Sequence, residues 1–192
     1  GAIQQFIGDV EWGVLDYLII DFPPGTSDEP LTVAQNLPDI DGMVIVTTPQ
    51  DVALLDSRKS ITFANSLKVG VIGVIENMSG YNLRGKAAAG TEIEVAAPGG
   101  KTLKVTADEN GDWLTTLDIF KSGGGKKTAE EFEVPFLGNL PFDPGFVRGG
   151  DDGVHRIVSE PDGPSAKAFS KVVENIQSHV EQKSESSGLE II

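Results

Sequence analysis

A short apolar run that ends in a carboxylate constrains the fold of this chain more than any other feature of its sequence. Tyr17 to Ile20 are all apolar and are followed directly by Asp21. A run this short and this uniformly apolar is typical of a strand buried on both faces, as in a parallel sheet. Asp21 would then lie at the carboxyl end of the strand, which is where open α/β sheets bind their ligands.

The loop after Asp21 has two interpretations. Pro23, Pro24 and Gly25 end the strand, because proline lacks an N–H and glycine tolerates a positive φ. An aspartate at a buried strand tip before a stiff loop is typical of Mg²⁺-dependent nucleotide sites, and the N–H groups of Gly25 and Thr26 could face a phosphate. The alternative is an ordinary strand–turn–helix junction, since such strand tips are common in α/β folds. The Pro-Pro-Gly-Thr sequence favours the nucleotide interpretation.

Strands and helices are predicted to alternate through the first part of the chain. Apolar runs predict two further buried strands at 42–47 and 69–75, and helical spacing predicts helices at 29–37 and 51–67. This alternation implies βαβ crossovers, and therefore an α/β fold with a parallel sheet and helices on both faces. Asn77 follows the last of these strands, where its amide could pair with an adenine edge or satisfy the amides of its own loop.

The pattern changes between residues 82 and 117. Residues 82–89 show no periodicity, and three runs of alternating polarity then follow, separated by turns at 98–100 and 108–112. Alternation of this kind predicts an antiparallel β-meander. We place the meander at 88–117 as an insertion into the α/β domain.

The α/β pattern resumes after the insertion. The predicted elements are a helix at 126–132, a strand at 134–140, an irregular stretch at 142–153 and a last helix from Pro164. The α/β domain is therefore expected to be discontinuous, with parts at 1–87 and 118–181. A flexible tail is expected at 182–192.

Charge and cysteine content exclude several classes of function. The chain has 192 residues, with 15 Lys and Arg against 29 Asp and Glu, and a formal net charge of −14. This balance argues against nucleic acid and anionic membrane surfaces as partners, because both require cationic neutralisation. The absence of cysteine excludes disulfides, thiolate metal sites and cysteine nucleophiles. It is compatible with the cytoplasmic location that we expect.

Four stretches together resemble a known family. They are Asp16–Asp28, Glu29–Gln35, Val46–Asp56 and Gly73–Gly80. They are similar to the Mrp/ApbC-type iron–sulfur cluster carrier ATPases, which belong to the MinD/ParA-like group of P-loop proteins. The similarity runs nearly unbroken from Gly1 to Tyr81 and resumes from about Asp118 to Gln177.

The resemblance implies ATP hydrolysis as the activity and ATP and Mg²⁺ as cofactors. It implies that Asp21 is a catalytic residue that holds Mg²⁺ through water. It also implies that the loop of Pro24, Gly25 and Thr26 moves with the γ-phosphate.

The resemblance further assigns the base-binding side of the site. It implies that Asn77 binds adenine and that the strand-end loop with Pro141 and Asp143 packs against the base, although that loop by itself is only a turn signal. Family members form homodimers that share one iron–sulfur cluster across the interface and deliver it to client proteins. These partners are therefore implied for this chain.

Two departures from the family pattern qualify these expectations. The family's phosphate-binding loop and its lysine are missing from the 192 residues, and the glycine-rich stretch 123–128 lacks the leading glycine and the Ser or Thr of such a loop. The family's Cys-x-x-Cys pair is also missing after Tyr81. We therefore expect a relative truncated at its N-terminus, which retains the Mg²⁺ and switch half of a nucleotide site. Alone, it is not expected to hydrolyse ATP or hold a cluster, and its ATP and Mg²⁺ binding should be weak or absent. The alternative is a non-catalytic interaction module that uses the meander as its binding surface.

Overall fold

The computed structural model describes residues 2–23, 28–37 and 39–187, with side chains described as far as 183. The helices in these residues are α1 (Ala2–Gly8), α2 (Asp28–Asn36), α3 (Asp51–Ser66), α4 (Gly124–Glu131), α5 (Pro144–Asp152), α6 (Arg156–Ser159) and α7 (Pro164–Ser187). The strands are β1 (Met43–Thr47), β2 (Val71–Glu76), β3 (Tyr81–Lys86), β4 (Glu92–Ala97), β5 (Lys101–Thr106), β6 (Asp112–Leu117) and β7 (Phe136–Asn139).

A parallel sheet in the order β1-β2-β7 forms the centre of the α/β domain. Helices α3 and α4 pack on one face of the sheet, and α7 packs on the other. The first face buries Ile45, Ile61, Val74 and Ala129. The second face buries Ile72, Ile75, Leu137 and Val172. The predicted α/β fold, with a parallel sheet and helices on both faces, is confirmed.

Helix α3 shows how the sequence pattern produces this packing. Its buried residues are Leu54, Ser57, Ile61 and Ala64. They are three or four positions apart, so they lie on one face of the helix and point at the sheet. The polar residues between them remain at the surface.

The strand predicted at Tyr17–Ile20 is wrong. The segment from residue 11 to Pro23 contains no strand, and Tyr17 and Ile19 are 49% and 89% exposed. A strand needs a neighbour that accepts and donates its backbone hydrogen bonds. Among the described residues β1 pairs with β2 alone, so no ladder orders the apolar run beside it.

The three-stranded meander predicted at 88–117 is also wrong in its pairing. We call residues 81–117 the ribbon, and it consists of two antiparallel pairs, β3 with β6 and β4 with β5. Strand β5 packs against β6. The ribbon therefore begins at Tyr81, seven residues before the predicted start at position 88.

Strand β3 was missed because its sequence shows no alternation of its own. Its partner β6 supplies the order. The indole of Trp113 lies over Gly85, where a Cβ would come within 2.6 Å of Cζ2, and the Thr116 hydroxyl donates to Asn82 Oδ1 at 2.8 Å. Cross-strand packing of this kind fixes the register of a sheet more strongly than the propensity of one strand.

Two further expectations fail towards the end of the chain. The stretch predicted to be irregular at 142–153 contains α5, which Asp143 caps by accepting from the Gly145 N–H at 2.8 Å. The predicted tail from 182 is helical as far as Ser187, because α7 continues without interruption. Residues 188–192 lie outside the described part of the chain.

Candidate functional site

A cavity runs along the open edge of β1, from Gly42 before the strand to Thr48 after it. One end of this cavity reaches the carboxyl edge of the sheet, where α/β folds bind ligands. The volume of the cavity is about 1690 Å³, and its walls include residues 16–23, the end of β1 at Thr47 and Thr48, Asn77 after β2, and Ile176 of α7. Ligand pockets usually measure about 300–1,000 Å³. The cavity is therefore a broad trough, of which a nucleotide could fill one end.

Asp21 is an exposed carboxylate on the wall of this cavity. Thr48 and Asn77 line the same cavity, so side chains from three different segments of the sequence border one open space. A carboxylate that faces water at the edge of a sheet can bind Mg²⁺ directly or through water. Pro24, Gly25 and Thr26, which were predicted to contact phosphate, lie outside the described residues.

Asn77 links the ends of the two neighbouring strands. Its N–H donates to Thr47 O at 2.7 Å, and its Oδ1 accepts from the Met78 N–H at 2.9 Å. The second contact matches the local interpretation of this residue. It does not exclude base binding, because Oδ1 has a second lone pair and nothing in the described part of the chain accepts from Nδ2.

The loop after β7 lies against the loop after β2. The Ser79 N–H donates to Leu140 O at 2.9 Å, and the Phe142 N–H donates to Gly80 O at 2.7 Å. Pro141 lies between these two contacts, close to the loop of Asn77. Neither Pro141 nor Asp143 lines the cavity that contains Asp21.

Asp143 is held by contacts within its own part of the fold. It caps α5 at Gly145 and accepts from Arg156 Nε at 3.1 Å. Burial raises the pKa of the Asp143 carboxyl, but hydrogen bonds from Ser165, the Gly145 N–H and Arg156 outweigh it, so the pKa lies below its ordinary value. The contacts of this carboxylate indicate that it braces the loop after β7.

The glycine-rich loop that resembled a phosphate loop already binds a carboxylate of this chain. Glu76, the last residue of β2, is completely buried. Its Oε1 accepts from the Ser79 hydroxyl at 2.5 Å and from the Gly123 N–H at 3.0 Å, and its Oε2 accepts from the Gly125 N–H at 2.6 Å. The N–H groups that could hold a phosphate are thus engaged internally, in agreement with the mismatch of this stretch to the phosphate-loop motif.

Sequence reasoning missed the role of Glu76. The signal that could have revealed it is an acid at the end of a buried strand in a chain that also has a glycine-rich helix start. A buried carboxylate requires donors, and backbone amides at a helix N-terminus are common donors for an anion.

The structure offers no preformed metal cage in its described residues. No group of three or more His, Cys, Asp and Glu side chains there is placed to hold a metal ion. A Mg²⁺ at Asp21 would therefore take most of its ligands from water and phosphate, which is usual for this ion. None of the described helices has the length and apolar character needed to cross a membrane.

Comparison with known families matches almost the whole chain. A model of the ParA group, described as NUBPL iron-transfer P-loop NTPase, matches residues 1–102 and 103–177. The chain belongs to this family. The resemblance to iron–sulfur cluster carrier ATPases that the motifs indicated is thereby confirmed.

Curated relatives of this chain are described as iron–sulfur cluster carrier proteins. An iron–sulfur cluster carrier protein of Methanocaldococcus jannaschii is 42% identical over 185 residues, which are 96% of this chain and 54% of that protein. One from Saccharolobus solfataricus is 41% identical over 180 residues, which are 94% of this chain and 52% of that protein. The chain thus spans about half the length of the curated relatives that it matches.

Solved structures agree with the fold. A nucleotide-binding protein of Archaeoglobus fulgidus in complex with ADP, with Co found, is 32% identical with a TM-score of 0.54 and covers 80% of this chain and 51% of its own. The septum site-determining protein MinD of Pyrococcus horikoshii, complexed with Mg-ADP, is 18% identical with a TM-score of 0.58 and covers 91% of this chain and 55% of its own. The second likeness concerns the fold alone.

Proposed function

We propose that this chain forms the Mg²⁺ and switch side of a nucleotide site in an ATP-dependent iron–sulfur cluster carrier. The observation that carries the proposal is that Asp21 and Asn77 line one cavity, which reaches the carboxyl edge of the parallel sheet. The 32% identical relative with ADP bound supports the same assignment.

Each site residue has a role in this proposal. Asp21 holds Mg²⁺ through water, and the ion neutralises the charge of the phosphates when it is bound. In the loop of Pro24, Gly25 and Thr26, the N–H groups of Gly25 and Thr26 are the donors proposed for the γ-phosphate. Asn77 recognises the base through its amide.

The loop after β7 supports this base-binding side. Pro141 lies beside the loop of Asn77, and Asp143 holds the segment that follows through contacts with Gly145 and Arg156. A brace of this kind keeps the base contact in place without touching the base.

The 192 residues supply an incomplete set of ligands. They contain no G-x-x-x-x-G-K-[ST] motif, so by themselves they lack the lysine and cradle of N–H groups that hold the β- and γ-phosphates. We propose that this stretch of chain binds nucleotide weakly and does not hydrolyse it unaided.

An iron–sulfur cluster, the cargo of the family, does not fit the residues of this chain. Clusters are held by cysteine thiolates, and the sequence has none. Anaerobic reconstitution with iron and sulfide should therefore produce no thiolate-to-iron absorption band. A stable, stoichiometric cluster would contradict this part of the proposal.

Calorimetric titration with Mg-ADP and Mg-ATP tests the nucleotide site. We expect binding weaker than micromolar, which Asp21→Asn reduces in the presence of Mg²⁺ but not in its absence. Asn77→Ala should weaken binding under both conditions. Asp118→Asn, which removes an exposed carboxylate outside the cavity, is the matched control and should have no effect. Micromolar or tighter binding would refute the half-site, and binding that is unaffected by Asp21→Asn would refute the metal assignment.

A second candidate function is self-association through the ribbon. The observation that favours it is the exposure of apolar Leu114 on β6 and Ile119 just beyond it, at 51% and 42%. Exposed apolar side chains can contribute to a contact between proteins. Sedimentation velocity of the chain and of Leu114→Lys should show a dimer that the substitution abolishes. A monomer in both cases would exclude this role.

A further inference from the structure

The carboxylate of Glu76 closes the base of the ribbon. Ser79, which donates to Oε1, comes two residues before the ribbon begins, and Gly123, which donates to the same oxygen, comes six residues after the ribbon ends. Gly125 donates to Oε2. We call these four residues the clasp. One buried side chain thus holds the two chain segments that lead into and out of the ribbon.

The clasp also packs closely against the segments that border the cavity. A Cβ at Gly125 would lie 3.0 Å from Glu76 Cβ and 3.2 Å from Thr47 Cγ2, and a Cβ at Gly124 would lie 2.8 Å from Pro49 O. The glycine loop therefore packs without side chains against the end of β1 and the turn after it. Thr47 and its neighbour Thr48 line the cavity.

The residue next to Glu76 is Asn77, which lines the cavity and whose N–H is bonded to Thr47 O at 2.7 Å. A shift of the glycine loop would have to displace the end of β1, the end of β2 or both, because packed interiors transmit strain. The three contacts of Glu76 are charge-assisted, and such hydrogen bonds are stronger than neutral ones. The ribbon base and the cavity edge are thus parts of one rigid junction.

We propose that Glu76 is a positioning residue that couples the ribbon to the nucleotide side of the sheet. In this arrangement, ligand binding at the cavity changes the mobility of the ribbon base, and a partner bound to the ribbon changes the position of Asn77. The two binding events change each other's free energy by the same amount. The nucleotide part rests on the function proposed above. The mechanical part, the connection between ribbon and strand ends, stands on the clasp alone.

Hydrogen exchange measured by mass spectrometry tests the mechanical part without any ligand. Glu76→Gln keeps the shape of the side chain but replaces one acceptor oxygen by a donor, so one glycine N–H loses its partner. We expect exchange to become roughly tenfold to a hundredfold faster at 123–125, at 77–80 and at the ribbon base, which comprises β3 and β6. Exchange in α7, on the other face of the sheet, should become faster only by the factor that the loss of global stability accounts for.

Two further variants keep this test decisive. Glu131→Gln is the matched control, because it removes a carboxylate at the other end of α4, the helix whose first residues bind Glu76. The contact of Glu131 is a surface ion pair with Arg58. This substitution should leave the ribbon unchanged. Ser79→Ala removes one donor of the clasp and should accelerate exchange at the same sites by a smaller factor, even if Glu76→Gln loosens the whole fold.

The results of these measurements distinguish a local role of Glu76 from coupling between the ribbon and the cavity. Faster exchange at 123–125 alone, with the ribbon base and 77–80 unchanged in both clasp variants, would overturn the coupling and leave Glu76 as a local cap of α4. In a second measurement, saturating Mg-ADP should slow exchange at 77–80 and at the ribbon base of the wild-type chain, and only at 77–80 in Glu76→Gln. If Mg-ADP protects nothing in the wild type, the proposed function fails, and the ligand-free comparison still decides the coupling.

Discussion

Strand β2 and the segment at 17–21 have similar sequences and very different structures. Both are apolar runs that end in an acid, Glu76 in one and Asp21 in the other. Strand β2 lies in the centre of the sheet, with Val74 completely buried. The segment at 17–21 is irregular and exposed to solvent.

The difference lies in what surrounds each run. Strand β2 has β1 on one side, β7 on the other, and helices on both faces, whereas the first run has no ladder partner among the described residues. The two acids differ for the same reason. Three donors converge on Glu76, and Asp21 faces an open cavity. An acid after an apolar run is therefore structural where donors enclose it and available to a ligand where they do not.

The largest effect should come from truncating the same side chain in the two runs. Ile75 is 7% exposed and Ile19 is 89% exposed. Ile75→Ala should lower the free energy of unfolding by about 2–5 kcal/mol, because it leaves a cavity in a packed core. Ile19→Ala should change it by less than about 0.5 kcal/mol. Urea denaturation of both variants measures the difference, and equal losses would mean that the first run is packed in solution.

The next largest difference in unfolding free energy should be between substitutions of the two acids, Glu76 and Asp21. Glu76→Gln should cost about 1–3 kcal/mol of unfolding free energy, because it removes charge-assisted hydrogen bonds from a buried site. Asp21→Asn should cost less than about 0.5 kcal/mol, although it changes Mg²⁺-dependent binding. Denaturation in parallel with the titration described above checks both. A large loss in Asp21→Asn would show that this acid also has a structural role.

Asp143 provides an intermediate case with a pH dependence. Asp143→Ala should cost about 0.5–2 kcal/mol, since it removes the cap of α5. Because contacts lower the pKa of this carboxyl below its ordinary value of 3.8, its contribution is fully present above that pH and is lost as the pH falls through the lower, folded-state value. The stability difference between wild type and variant should therefore shrink in acid. A difference that stays constant below pH 3.8 would contradict the shift.

The smallest effect should come from removing the outer pair of the ribbon. Gly90 N donates to Ala107 O at 3.0 Å, so residues 91–106, which carry β4 and β5, can be deleted and these two ends joined by a short glycine linker. The transition of the α/β domain should shift by less than about 0.5 kcal/mol, because surface insertions contribute little to the core they leave. Differential scanning calorimetry measures this shift. Loss of folding would show that the pair of β4 and β5 is needed for the stability of the α/β domain.

The sequence predicts the elements of the α/β domain because its runs are long and strongly periodic. Helix α3 and strand β2 follow their apolar patterns closely. The first run fails because strand formation depends on a neighbour, which a local pattern does not contain. Strand β3 was not predicted although it forms, because its order comes from a neighbour, through Trp113 and Thr116 across the ladder.

The candidate site was predictable to a smaller extent. Asp21 and Asn77 were predicted because each follows an apolar run, and both line the cavity. Only Asn77 follows a strand of the sheet, since the run before Asp21 forms no strand. Glu76 was missed because two of its three partners are backbone N–H groups 47 and 49 residues away. Backbone donors leave no trace in the side-chain pattern of a sequence.

The clasp has a consequence for how chains of this type can diversify and be engineered. When the two ends of an excursion are already fixed to each other, the entropy of closing it rises only slowly with length, by about 0.6 kcal/mol for each doubling. The segment 81–117 is therefore a site at which the inserted element can be replaced. Hairpins of other lengths and sequences could be grafted there, with Glu76 keeping the host domain folded while the grafted module is exchanged.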